Sequence, residues 1–366
     1  MPSFIPGLRL AEILFREAVE PLLADHMPSL RYAAGLAGGG SDAMGFDTER
    51  STDHGWGPRL VLFLDDEDID SWTPRLNNLL QTSLSRTIAG YSTSFIESEI
   101  EPGIMHMAEI DSDQPVNHQI AITSPKRWLR QTLGVDVTDR IDPATWTTLS
   151  EQTLLEVTSG KIFRDDSGEI TRLRAGLAWY LDDVWRYRMA AQWKRIDQLE
   201  PFIGRCGEVG DDLGSHLVAM TLVRDAMKLA YLMERRYAPY PKWIGTGFTR
   251  LNLAPELTPD LDAARFATNW REREAGVVGA VAALAEHHNT LGLTAWVDPT
   301  PRPFFGRPFQ VMFGGRFAEA LMATITDPEV LALPAHLGGL DQYIDSTDAM
   351  NSHGLHRAIR EWLIRE

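Results

Sequence analysis

Residues 35–64 read GLAGGGSDAMGFDTERSTDHGWGPRLVLFL. The glycines Gly38, Gly39 and Gly40 lead into Ser41; twelve residues after it stands Asp53, and an apolar run follows at 59–64. A glycine turn lets backbone N–H groups approach an anion closely, because no Cβ stands in the way. Ser41 opens the stretch SDAMGF, expected to start a helix whose hydroxyl and first-turn N–H groups point at that anion. A carboxylate at Asp53, just ahead of the strand, has the chemistry to hold Mg²⁺ or Mn²⁺ against phosphate oxygens. Taken alone, the same glycines also read as a flexible connection.

Outward from this stretch the pattern alternates. Upstream, Leu8, Leu10, Ile13, Leu14, Val19 and Leu22 recur at helical spacing, which predicts a helix over 8–27. Its charged residues, Glu12, Arg16, Glu17 and Glu20, do not fit a signal peptide. RYAAGLAG reads as a short strand entering the turn, PRLVLFLD as a buried strand, and SWTPRLNNLLQTSL as a helix. VNHQIAITSP alternates like a strand, and KRWLRQTLGVD is a short helix ending near Gly134. Beyond Pro143, PATWTTLSEQTLLEVTSG reads as helical and capped by Gly160, and KIFRDDSGEITRLRAGLAWY as two short strands about a DDSG turn. Helices are then expected at 182–200, 211–237, 262–291, 314–325 and 355–365. The expected class is α+β, with a small mixed-sheet domain over 1–140 and a larger, mostly helical domain over 141–366.

The chain has 366 residues and a net charge of −16, which argues against general nucleic-acid binding and leaves room for a small local basic pocket. The single cysteine, Cys206, excludes an internal disulfide and fits a cytoplasmic location. No run approaches the roughly 18 apolar residues of a membrane span, so no membrane partner is expected. HExxH, paired CxxC, GxSxG and the Walker lysine are absent, which removes support for zinc-protease, redox, serine-hydrolase and P-loop chemistry. Composition leaves the oligomeric state open.

A second charged cluster runs from Arg205 to Lys242. Arg224 and Lys228 stand one helical turn apart among apolar neighbours, an arrangement suited to clamping a phosphate or pairing with Asp211, Asp212 or Glu234. A charged helical run is equally a solvated face. The adjacent His287 and His288 point to different faces and do not have metal-pair spacing. Asp341, Asp345 and Asp348 would share an acidic helical face.

Gly40-Ser41, the gap to Asp53 and the apolar strand resemble the nucleotidyltransferase superfamily pattern of Gly-Ser, spacer, acid–x–acid. The wider stretch GGSDAMGFDTERSTDHGWGPRLVLFL is similar to one bacterial family of uncharacterised-domain proteins within it. DDVWRYRMAAQWKRIDQLEPFIGRCGEVGDDLGS, LVRDAMKLAYLMERRYAPYPKWIGTGFTRL, HHNTLGLT and RPFQV extend the resemblance over nearly the whole chain. It implies a nucleotidyltransferase-type sheet followed by helices. Carried over, Gly40 and Ser41 match the phosphate-holding pair and Asp53 the first, catalytic metal-binding acid; Gly39 of the same turn, and Arg205, Arg224, Lys228 and Lys242 of the second cluster, are this chain's own further candidates for holding phosphate.

The second acid of the pattern falls on Gly55, and the expected later strand, with Ile120-Ala121-Ile122 at its centre, carries no third. Asp42, Asp47, Glu49 and His54 are the loop's other ligand candidates, with Glu109 and Asp111 upstream of the later strand. A lone carboxylate holds a divalent ion weakly. Two readings follow. One is metal-assisted transfer of a nucleotidyl group from a nucleoside triphosphate to a small acceptor. The other is a diverged protein that binds a nucleotide or metabolite, or uses its cleft for different chemistry.

Overall fold

The apolar run after the glycine turn forms the strand Arg59–Phe63, inside a four-stranded mixed sheet ordered Gln119–Thr123, Arg59–Phe63, Ala33–Leu36, Lys161–Asp165. The computed structural model describes every residue except Met1, His54, Ser112, Thr138, Asp139 and Glu366, and of Asp53 the backbone alone. Ala33–Leu36 runs antiparallel to Arg59–Phe63, with Ala34 opposite Leu62. Arg59–Phe63 runs parallel to Gln119–Thr123, with Val61 opposite Ala121. A parallel pair needs a long crossover, and the helix Ile69–Ser83 lies in this one.

Side chains alternate across the Arg59–Phe63 strand, and both faces are covered. Leu60 and Leu62 join a core with Leu10, Leu14, Phe15 and Leu76, while Val61 and Phe63 pack with Ala33 and Ile170 on the other face. The expected helix over 8–27 is present as Gly7–Leu14, a π-turn segment Phe15–Val19, and Glu20–His26. Pro21 lacks the N–H that a regular α-helical ladder would use there.

The chain separates into two compact units, one of residues 1–140 and 153–178, the other of 141–152 and 179–366. Residues 153–178, expected in the helical domain, thus return to the first unit. The cause is the strand Lys161–Asp165, which pairs antiparallel with Ala33–Leu36. Gly35 permits that approach: a Cβ there would stand 2.5 Å from the Lys161 carbonyl oxygen. The expected second strand after DDSG is the helix Glu169–Gly176 instead.

The second unit is helical. Its main elements are Asp182–Leu199, Asp212–Met233, Ala254–Phe266, Trp270–Thr290, Gly315–Met322 and His353–Leu363. The expected helix over 262–291 is divided because Asn269, in extended backbone, caps a new helix by accepting from the N–H groups of Arg271 and Glu272. Trp193 stacks on Phe317 at 4.5 Å, and Trp185 donates to the Leu232 carbonyl at 2.7 Å, so these tryptophans fill the helical core. Among the described residues no helix is long and apolar enough to cross a membrane.

Candidate functional site

The glycine turn leaves the strand Ala33–Leu36 with left-handed backbone at Gly38 (φ 107°) and Gly40 (φ 124°). Gly38 N–H donates to the Glu156 carbonyl at 3.2 Å. Among the described residues, the N–H groups of the next four residues, Gly39, Gly40, Ser41 and Asp42, donate to nothing. Gly39 is exposed, and Gly40 and Ser41 are half-buried. Unpaired N–H groups in a turn can serve an anion where the backbone aims them at one point.

Ser41 does not start a helix. Residues 41–45 are a turn closed by Phe46 N–H on the Ser41 carbonyl at 2.7 Å, with Gly45 left-handed (φ 69°). The left-handed residue ends the winding within about one turn. The expected helix dipole is therefore absent, and any anion contact falls to the individual N–H groups.

The loop's acids are engaged elsewhere. Asp42 is buried and held by Arg59 through both carboxylate oxygens, Nε to Oδ2 at 2.8 Å and Nη2 to Oδ1 at 2.5 Å. Arg59 Nη2 also donates to the Gly39 carbonyl at 3.0 Å, so the guanidinium lies along the turn. A Cβ on Gly40 would stand 2.1 Å from that nitrogen. Burial opposes the Arg59 charge, but the bonds and charge of Asp42 outweigh it and raise its pKa. Asp47 Oδ2 accepts from Gly7 N–H at 2.6 Å and Trp56 Nε1 at 3.0 Å, which ties the first helix to the loop.

Asp53 closes the short 3-10 segment Glu49–Asp53; its side chain, and the whole of His54, lie outside the described residues. Gly55 is left-handed at φ 63°. Positions 53 and 55 therefore do not share an extended segment, and strand alternation does not put a side chain at 55 beside one at 53. Gln119–Thr123 is the expected strand and carries no carboxylate; Glu109 and Asp111 precede it outside any strand. Among the described residues no three acidic, histidine or cysteine side chains group to hold a metal. The described residues do not fit a two-metal centre.

One acid escapes a sequence reading. Glu156 reaches the turn from the helix Glu151–Thr158: a Cβ on Gly39 would stand 3.3 Å from its carboxyl carbon. Nothing in the local pattern marks it, because strand pairing far along the chain delivers it.

Arg224 and Lys228 line a small pocket of about 40 Å³ within the helical unit. Their partners are not the expected Asp211, Asp212 or Glu234. Arg224 Nη1 pairs with Asp345 at 2.8 Å, and Lys228 Nζ donates to the Asp341 carbonyl at 2.6 Å. Asp211 caps its helix on Gly214 N–H, Asp212 pairs with Arg273 at 3.1 Å, and Glu234 accepts from Leu253 N–H. Behind the pocket the fully buried Arg188 pairs with Glu151 at 2.6 Å and Asp341 at 3.4 Å. Burial, together with the charge of Asp341, raises the Glu151 pKa against the pull of Arg188.

The sequence thus brings Arg224 and Lys228 together but not Arg205 or Lys242. Arg205 is exposed over the Phe202 ring and lines a separate open hollow with Cys206 and Arg307; Lys242 is exposed over Trp243. Asp341, Asp345 and Asp348 share no single helix, since Ile344 is extended between Leu340–Tyr343 and Thr347–Met350. His288 is buried between Trp193 Nε1 at 3.3 Å and Thr294 Oγ1 at 3.1 Å, a core role.

A family model described as a domain of unknown function, DUF4037, matches residues 146–244. A solved nucleotidyltransferase-like protein from Exiguobacterium sibiricum 255-15 is similar over 95% of this chain and 90% of that one, at 9% identity and a TM-score of 0.34. At that score the likeness carries no argument about the site. No curated protein matches the chain. The chain is thus similar to a family without an assigned activity and to a protein of nucleotidyltransferase-like description.

Proposed function

We propose that this chain is a nucleotidyltransferase-like protein that holds the phosphate groups of a nucleotide on the turn Gly39–Ser41, with divalent metal no longer the main source of positive charge. The observation that carries the reading is the run of four N–H groups, Gly39 to Asp42, that no described residue satisfies. The Arg59 guanidinium beside that run supplies a fixed cation where a metal-dependent site would use its ion. Its charge is shared with Asp42, so binding is modest and its salt dependence shallow.

Nucleotidyl transfer to a small acceptor is the second reading. It is favoured by the position of the glycine turn between the antiparallel strands Ala33–Leu36 and Arg59–Phe63, and it relies on Asp53 as the metal contact. Gly39→Val separates turn binding from other sites. Gly39 is exposed and has no left-handed φ, and the three atoms nearest its added Cβ are all on the Glu156 side chain, at 3.3–3.4 Å. The variant is expected to keep its thermal midpoint and to weaken ATP binding at least about tenfold by calorimetry. Unchanged binding would remove the turn from the site.

A further inference from the structure

We infer that the pocket bounded by Arg224, Lys228 and Asp345 in the helical unit binds a small aliphatic monocarboxylate, whose carboxylate takes the place of Asp345 on Arg224. The inference does not depend on the nucleotide reading.

Charge sets the valence of the ligand. Three cations, Arg188, Arg224 and Lys228, and three carboxylates, Glu151, Asp341 and Asp345, stand around the pocket; Arg188 and Arg224 pair with carboxylates, and Lys228 meets only the backbone carbonyl of Asp341. Arg188, Glu151 and Asp341 are buried and interlocked, whereas Asp345 is 59% exposed on the link between two short helices. Turning Asp345 out to water leaves one uncompensated positive charge, which a single carboxylate restores and a phosphate dianion would exceed.

Geometry favours the exchange. Arg224 uses one nitrogen on Asp345, while its buried Nε has no hydrogen-bond partner among the described residues. A free carboxylate can engage the guanidinium fork with both oxygens, which a monodentate Asp345 does not. Lys228 has no carboxylate within ion-pair distance among the described residues; its ammonium rests on the neutral carbonyl of Asp341. An exposed pair such as Arg224–Asp345 is weak and exchanges readily.

The remaining wall sets the body of the ligand. Its amides are engaged: Gln152 Oε1 accepts from Tyr240 N–H, and Gln342 Nε2 donates to the Arg188 carbonyl and to Gln192 Oε1. Leu232, Pro239, Ile244, Ile344 and Met350 supply hydrocarbon. A carboxylate on a short aliphatic chain matches both ends.

The test is calorimetric titration of the full chain with hexanoate and, separately, with inorganic phosphate, each variant being checked for native circular dichroism. Hexanoate is expected to bind the parent. Asp345→Asn, which removes the internal competitor, should tighten it about tenfold, and Arg224→Gln and Lys228→Gln should each weaken it at least about tenfold. If Arg224→Gln does not fold, the opposed effects of the other two variants decide. Absence of hexanoate binding in both parent and Asp345→Asn would overturn the proposal. So would hexanoate binding indifferent to Lys228→Gln, or phosphate binding as tight as hexanoate.

Discussion

Arg59 grips Asp42 with two nitrogens, at 2.8 and 2.5 Å, and the same side chain lies against Gly39 and Gly40. One acid of the loop is therefore a tether for the turn's own cation and is not free for a metal. The relationship unites a buried carboxylate with a guanidinium that keeps part of its surface in water.

Asp42→Ala strands that guanidinium. Removing one partner of a buried pair destabilises by roughly 3–5 kcal/mol, and the partial exposure of Arg59 places this case near the lower end. Urea unfolding is the check. A loss below about 1 kcal/mol would mean that Arg59 finds water as good a partner as Asp42.

Gly55→Asp is expected not to build a metal site. The position has open space for a side chain but a φ of 63°, so aspartate adopts it only with strain of about 1 kcal/mol. Mn²⁺ affinity by calorimetry should stay within about threefold of the parent. A gain of a hundredfold would show that the segment re-forms so that positions 53 and 55 share the ion.

The sheet was legible in the sequence because its strands are short apolar runs bounded by turn residues, as Arg59–Phe63 and Gln119–Thr123 are. The fourth strand's place was not, since only long-range pairing with Ala33–Leu36 returns Lys161–Asp165 to the first unit. At the turn, glycine spacing was readable, but the left-handed Gly45 and Gly55 reshaped both flanks in ways spacing does not encode.

Acidification should weaken the helical unit through His288. Burial, reinforced by the charge of His287, lowers its pKa from 6.5 to about 4. The unfolded chain then takes up the proton first, so the contribution is intact above pH 6.5 and is lost as pH falls towards 4, on the order of 3 kcal/mol in all. Glu200 acts oppositely: burial raises it from 4.5 to about 7 against the N–H donors of Gly314, Met312 and Phe313, so its protonation favours the fold as pH falls through that range. Comparing pH-dependent unfolding of the parent with His288→Gln isolates the histidine. Equal slopes between pH 6.5 and 4.5 would refute the assignment.

Arg188→Leu should be severe and Arg205→Ala silent. The first leaves Glu151 and Asp341 buried without their cation, a change costing about 3–5 kcal/mol; the second removes an exposed side chain, within about 0.5 kcal/mol. Thermal and urea unfolding of the two variants check this. Similar losses would mean that the Arg188 cluster is no more coupled than a surface charge. Arg188 was invisible as a key residue because helical spacing shows its burial but not the distant Asp341 that meets it.

As proposed above, the turn Gly39–Ser41 would bind nucleotide phosphate through its own N–H groups and Arg59, without reliance on a metal. The most direct test is calorimetric titration of the full chain with ATP, once in EDTA and once in saturating Mn²⁺. Binding is expected in both, with dissociation constants within about threefold of each other. Binding that appears only with Mn²⁺, or tightens a hundredfold with it, would rule out metal-independent binding at the turn and restore the metal-assisted site.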